Sequence, residues 1–222
     1  MSAVLDTARR FGSGGAEPWA VALRGGSLSL ELVPMDPASR SEPLDVHRWT
    51  SEADLTDRSA LDGLTGPLLD VGSGPGRMIR AAMGEGLEAY GVDADPAAVE
   101  TSRAVGLPVL DGSVFDPLPL EGTWGSLLLL DGNVGIGGDV VALLARCAEL
   151  LRRGGMLVAE ADSDPLRDEV AECRVRDSDG GESDPFPWSR VGLPALLRAA
   201  HDFALDRVWE QDGRWFVRLR AL

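Results

Sequence analysis

The chain reads as an α/β protein built on a mostly parallel sheet. Three observations predict this class. Short apolar runs alternate with helical patterns from about residue 50 onward, and strands that alternate with helices need crossover connections, which implies parallel pairing. The first of these runs, Leu68-Leu-Asp-Val71, opens into Gly72-Ser-Gly-Pro-Gly76 and then a helical stretch. A strand, a glycine turn and a helix form a small-molecule site at the carboxyl edge of such a sheet. Finally, Phe203–Glu210 and Arg214–Leu219 flank Asp212-Gly213 in a hairpin pattern, so one strand there runs antiparallel.

The elements can be placed in order. Met1–Gly15 reads as a frayed start with no apolar core of signal-peptide length. Trp19–Leu23, Gly25-Gly26 and Leu28–Val33 suggest a hairpin. A helix is expected from Thr50 or Ser51, as cap, to about Gly63. Pro67–Val71 is the first sheet strand, followed by a short helix over Arg77–Met83 with its positive dipole end at the glycine turn. Ala89–Asp93 is the second strand; Asp95 caps a helix that starts on Pro96. Pro108–Leu110 and Trp124–Asp131 are the third and fourth strands, with Leu127–Leu130 as a buried centre. Asp139 caps an amphipathic helix ending in Arg152-Arg153 and stopped by Gly154-Gly155. Met156–Ala161 is the fifth strand and Pro194–Ala200 a last helix.

Composition bounds the function. A chain of 222 residues with 44% hydrophobic content can be one α/β unit burying roughly 70% of its unfolded surface. Formal net charge is −15, and all 21 basic residues are Arg. Phosphate contacts supply much of nucleic-acid affinity, so an acidic chain without a basic stripe is a poor binder of nucleic acid or an anionic membrane. The longest aliphatic run, Leu127–Leu130, is far short of a membrane span. Two cysteines, Cys147 and Cys173, form neither a disulfide framework nor a metal set. The expectation is a cytoplasmic protein with reduced thiols, no metal, and a small-molecule partner.

Spacing narrows the ligand. The dinucleotide fingerprint Gly-x-Gly-x-x-Gly would need a small residue where Arg77 stands. A P-loop needs Lys, and the chain has none. The observed pattern is acid-x-Gly-x-Gly-x-Gly over Asp70–Gly76, and Asp93 ends the second strand, where a carboxylate can accept from a ribose diol.

The turn resembles motif I of the class I S-adenosylmethionine-dependent methyltransferases. The likeness covers about residues 50–222 and is strongest from 67 to 161. It implies a Rossmann-like, seven-stranded, mostly parallel sheet with helices on both faces and an antiparallel C-terminal strand. It also implies S-adenosyl-L-methionine as cofactor, held by Asp70, Gly72, Ser73, Gly74 and Gly76 of the turn and by Asp93 and Ala94. Leu110–Pro119 matches the segment over the adenine, with Ser113 and Val114 as contacts and Asp111 as an alternative to Ser113. Leu150–Val158 matches the helix–turn–strand that follows the active-site loop. That loop, Asp131–Asp139, resembles a group of small, actinobacterial-looking methyltransferases of unassigned substrate. Asp131 is then a contact for the cofactor's amino group or a proton acceptor, and Asn133 orients the methyl acceptor.

Of the two histidines, His47 precedes the cofactor region and is the candidate base; His201 sits near a helix end where the dipole favours a cation. Residues 1–49 are expected as an N-terminal cap, 50–222 as the methyltransferase domain and 162–189 as a flap. Trp19, Trp49, Phe186 and Trp188 are candidates for an apolar cover that keeps water out. Two other readings stay open: a nicotinamide-dependent oxidoreductase, and a non-catalytic module that binds S-adenosylmethionine. Oligomeric state and acceptor identity are not legible.

Overall fold

A computed structural model describes residues 18–25 and 29–222. The elements in chain order are α1 (Pro18–Leu23), β1 (Leu30–Pro34), β2 (Glu42–Leu44), α2 (Val46–Thr50), α3 (Leu55–Ser59), β3 (Leu68–Val71), α4 (Arg77–Gly84), β4 (Ala89–Asp93), α5 (Pro96–Ala104), β5 (Val109–Asp111), β6 (Trp124–Leu129), α6 (Val140–Leu150), β7 (Leu151–Ala161), β8 (Asp168–Asp177), β9 (Phe186–Val191), α7 (Leu193–Ala199), β10 (Phe203–Gln211) and β11 (Arg214–Ala221). Seven strands form one sheet in the order β10-β11-β7-β6-β3-β4-β5. The pairs from β7 to β5 are parallel; β11 runs antiparallel to both neighbours.

The side-chain period of two explains why both sheet faces are covered. Leu69, Leu127, Leu129 and Leu157 pack on α6 and α7. Their neighbours Leu68, Leu128, Leu130 and Val158 pack on α4, α5 and the turn after α3. Every residue of Leu127–Leu130 is essentially solvent-free, and burial of each such side chain contributes about 1.5–3 kcal/mol. Asp95 caps α5 by accepting from Ala97 N at 2.6 Å, and Asp139 caps α6 by accepting from Ala142 N at 3.0 Å. Both caps were legible in the sequence.

The stretch before the sheet differs from expectation. In place of one helix from Thr50, α2 is capped by Asp45 and α3 by Asp54, whose side chain and that of Asp57 cap each other's backbone N–H. Two Asp caps split the segment. Trp19–Leu23 is helical, because Pro18 opens a turn that buries Trp19 and Ala22 on one side; the hairpin partner of β1 is β2. Helix α6 stops at Leu150, so Arg152 and Arg153 belong to β7. Met1–Gly15 and Gly26–Leu28 lie outside the described residues.

A second, four-stranded antiparallel sheet has the order β2-β1-β8-β9. It joins residues 30–44 to residues 168–191 through the β1–β8 pair, Leu30↔Asp177 to Pro34↔Cys173. The expected N-terminal and 162–189 segments therefore meet in one layer. Its own small core contains Trp19, Leu30, Leu32, Val175 and Phe186. An isolated bridge, Ile136↔Trp188, ties β9 to the loop after β6.

Candidate functional site

The carboxyl edge of β3, β4, β6 and β7 faces the second sheet across a cavity of about 720 Å³. The floor starts at the glycine turn. Gly72, Gly74 and Gly76 all have positive φ, at 69°, 53° and 83°, a conformation that glycine adopts without steric cost. Their surroundings differ. A Cβ on Gly74 would meet nothing within 4 Å, one on Gly72 would lie 2.7 Å from Asn133 Nδ2, and one on Gly76 would run into Leu107 Cδ1. Gly74 thus presents bare backbone to the cavity, while Gly76 serves packing.

Asp93 closes the turn from the neighbouring strand. Gly74 N donates to its Oδ2 at 2.7 Å and Asp95 N to its Oδ1 at 2.8 Å. Burial pushes its carboxyl above the usual range, opposed by these backbone hydrogen bonds. Gly72, Gly74, Asp93, Ala94, Ser113, Val114, Asp131 and Asn133 all line the cavity. Ser113 accepts from Phe115 N at 3.2 Å. Asp70, Ser73, Gly76, Asp111 and His47 do not line it. Asp70 is buried behind the turn and its carboxyl is pushed up to about 8, by burial first and then by Asp131, with Arg77 opposing. His47 is exposed on α2, whereas its neighbour Arg48 reaches the cavity.

Asn133 stands over Gly72. Its Nδ2 donates to Val71 O at 2.8 Å and Gly72 O at 2.9 Å, so its amide nitrogen staples two loops together. Asp131 adopts φ 58°, a strained conformation for a residue with a side chain. Its backbone N–H donates to Glu160 Oε2 at 2.7 Å.

Sequence reasoning missed the charged wall around Asp131. Asp57 is about 1% exposed and accepts from Arg48, Arg77 and Arg214, the first and last at 2.7 Å. Arg77 also pairs with Asp131, as do Arg48 at 3.1 Å and Arg214 at 3.5 Å. Arg214 forks onto Glu160 with two bonds of 2.7 Å, the bidentate geometry that gives Arg–carboxylate pairs their strength. Three guanidiniums and three carboxylates make a charge-balanced wall. Despite its burial, Asp57 is held at about 2 by these guanidiniums. Burial and Glu160 raise the Asp131 carboxyl, against Arg77, Arg48 and Arg214. Arg77, at the place where a dinucleotide fingerprint needs its third small residue, is part of this wall and only 3% exposed. One signal was available: Glu160 lies in the otherwise apolar strand Met156–Ala161.

Trp19, Trp49 and Trp188 line the cavity from the second sheet's side. Trp19 and Trp49 meet edge-on with centroids 5.3 Å apart. Phe186 instead packs beneath Trp188, at 5.9 Å. Among the described residues no group of three or more His, Cys, Asp or Glu is placed to hold a metal ion, and no helix is long and apolar enough to cross a membrane.

Residues 69–159 match the family model described as a methyltransferase domain. Over that segment the chain is similar to a methyltransferase domain. Solved structures agree on the fold. An S-adenosylmethionine-dependent methyltransferase from Bacteroides fragilis, in complex with S-adenosyl-L-homocysteine, superposes with a TM-score of 0.73 at 22% identity, covering 92% of this chain and 93% of that one. The CcbJ methyltransferase from Streptomyces caelestis gives 0.59 at 16% identity, over 78% and 92%. A 1,6-didemethyltoxoflavin N1-methyltransferase from Burkholderia thailandensis gives 0.55 at 20% identity, over 78% and 80%. No curated protein matches the chain by sequence. The matched segment runs from β3 to β7, so it contains the glycine turn, Asp93 and Asp131 but neither sheet segment that roofs the cavity.

Proposed function

We propose that the protein transfers a methyl group from S-adenosylmethionine to a small-molecule acceptor bound between the glycine turn and the second sheet. One observation carries this reading. Asp93 is tethered to Gly74 N at 2.7 Å, beside backbone that is open above Gly74. A carboxylate and bare backbone thus border the same cavity, which fits a ligand that offers sugar hydroxyls next to a compact substituent. Asp93 would hold the sugar, the backbone of Gly72, Gly74 and Ala94 would pack along the ligand, and Ser113 and Val114 would meet the adenine.

The bound cofactor supplies the methyl group as a sulfonium, which is electrophilic without help from the protein. The chain's residues then have three tasks. Asn133 fixes the turn by its bonds to Val71 O and Gly72 O. Asp131, ringed by three guanidiniums, presents a positioned carboxylate to the cavity instead of a freely shuttling base. The tryptophans and the second sheet exclude water and align the acceptor, and alignment alone can supply much of a transfer rate. The cavity is large enough for a drug-sized ligand set.

Calorimetry with S-adenosylhomocysteine tests the reading. Wild-type protein should bind it, and Asp93→Ala should weaken binding at least tenfold, about 1.4 kcal/mol. No measurable binding to the wild type sinks the proposal.

A further inference from the structure

The second sheet faces the cavity with apolar side chains, Leu32, Leu44 and Trp188 among them. One spot on this wall is different. Glu42 of β2, Arg190 of β9 and Arg167 of the β7–β8 connection converge there. Arg190 donates through Nη1 to Glu42 Oε1, and Arg167 donates through Nη2 to the same oxygen at 3.4 Å. The Arg190 side chain is only 13% exposed. Asp162 stands 3.9 Å from Arg167 Nε.

Such a cluster contributes little to the stability of a fold, because Glu42 is 40% and Arg167 23% exposed and water screens pairs of that kind. It also has unused capacity. Arg167 Nε is buried with no hydrogen-bond partner among the described residues. A buried polar atom left unpaired destabilises the protein unless a ligand satisfies it. Glu42, Arg167 and Arg190 all line the cavity.

Resting on the methyl-transfer reading, we infer that this cluster recognises the acceptor, and that the acceptor is a flat aromatic molecule with a neutral carbonyl–N–H edge, of the lactam or amide class. The pair offers a donor and an acceptor side by side, which complements that edge. A carboxylate placed there would lie against Glu42 and Asp162. An ammonium would lie against two guanidiniums. Like charges at such range in a partly dry cavity are repelled. Trp19, Trp49, Trp188 and Phe115, which also line the cavity, suit the faces and edges of a flat ring.

The test uses three bicyclic probes on wild-type protein saturated with S-adenosylhomocysteine: quinolin-2(1H)-one, naphthalene-2-carboxylate and 2-naphthylmethylammonium. Binding is read by calorimetry. The lactam should bind about tenfold or more tighter than either ion; Arg190→Met, which removes one of the two guanidiniums, should remove the preference over the ammonium, and Glu42→Gln, which removes a repelling carboxylate, should remove the preference over the naphthoate. If Arg190→Met loses S-adenosylhomocysteine binding, Glu42→Gln decides the test by its preference over the naphthoate. Either ion binding as tightly as the lactam, or an unchanged preference in a variant that still binds S-adenosylhomocysteine, overturns the inference; so does the absence of lactam binding. Failure of the wild type to bind S-adenosylhomocysteine is a separate outcome, which overturns the methyl-transfer reading and this inference with it.

Discussion

Asp70→Asn should make the protein more stable at neutral pH, and by an amount that grows with pH. Asp70 is 4% exposed, and its carboxyl is pushed up to about 8 against an ordinary 3.8, by burial and by Asp131. At pH 7 the folded chain therefore holds a proton that the unfolded chain has released. A carboxyl raised in this way gives its full stability below the unfolded value, near 4, and loses it as pH climbs toward the folded value, near 8. Each pH unit in that window costs about 1.4 kcal/mol. By pH 7 the accumulated cost is about 4 kcal/mol. Asn has nearly the shape of the protonated acid and does not titrate, so its own baseline cancels when only the slope is read. Urea denaturation of both proteins from pH 5 to pH 7 should show the gap widening by about 1.4 kcal/mol per unit. A gap that stays flat across that range refutes the reasoning. Because Asp70 does not line the cavity, S-adenosylhomocysteine affinity should change little in the same variant.

Asp57→Asn should act in the opposite direction. With its carboxyl held at about 2, Asp57 contributes about 2.5 kcal/mol above pH 4, and this is lost as pH falls toward 2; denaturation at pH 7 and pH 3 should show a penalty that shrinks in acid. Gly76 and Gly74 of the turn should separate stability from binding. Gly76→Ala forces a Cβ onto Leu107 at positive φ and should cost about 1–3 kcal/mol of stability. Gly74→Ala, with open space around it, should cost about 1 kcal/mol of strain but weaken S-adenosylhomocysteine binding several-fold in calorimetry. Asn133→Ala removes two hydrogen bonds and should lower stability by about 1–2 kcal/mol in thermal unfolding.

The cofactor side of the cavity was legible because its signals are local. A run of apolar residues, positive-φ glycines and the acid ending the next strand lie within 26 residues, Leu68–Asp93, and each has a backbone reason to be what it is. Asp95 and Asp139 were legible for the same reason: a cap acts on its own helix. The charged wall was not. Arg48, Asp57, Arg77, Asp131, Glu160 and Arg214 come from six separate places in the chain, and nothing in local pattern distinguishes a wall guanidinium from a solvated one. His47 attracted attention because imidazole is a common acid–base group, yet it is Arg48, its neighbour on α2, that lines the cavity. The second sheet was half legible. Its hairpin character showed in the alternation of residues 170–176, but the pairing of β1 with β8 spans some 140 positions, from Leu32 to Val175, and register at that distance leaves no sequence mark.

That long-range stitch bears on how the molecule comes to exist. The sheet strands β3 to β7 can pair soon after synthesis, since their partners are near in the chain. The roof cannot: β1 waits, with one edge unmatched, until residue 177 has been made. Contacts of such separation form late because loop closure must precede them. The nascent chain therefore passes through a stage that has a shaped turn but no enclosure, and the roof over the cavity closes only once β8 has been made.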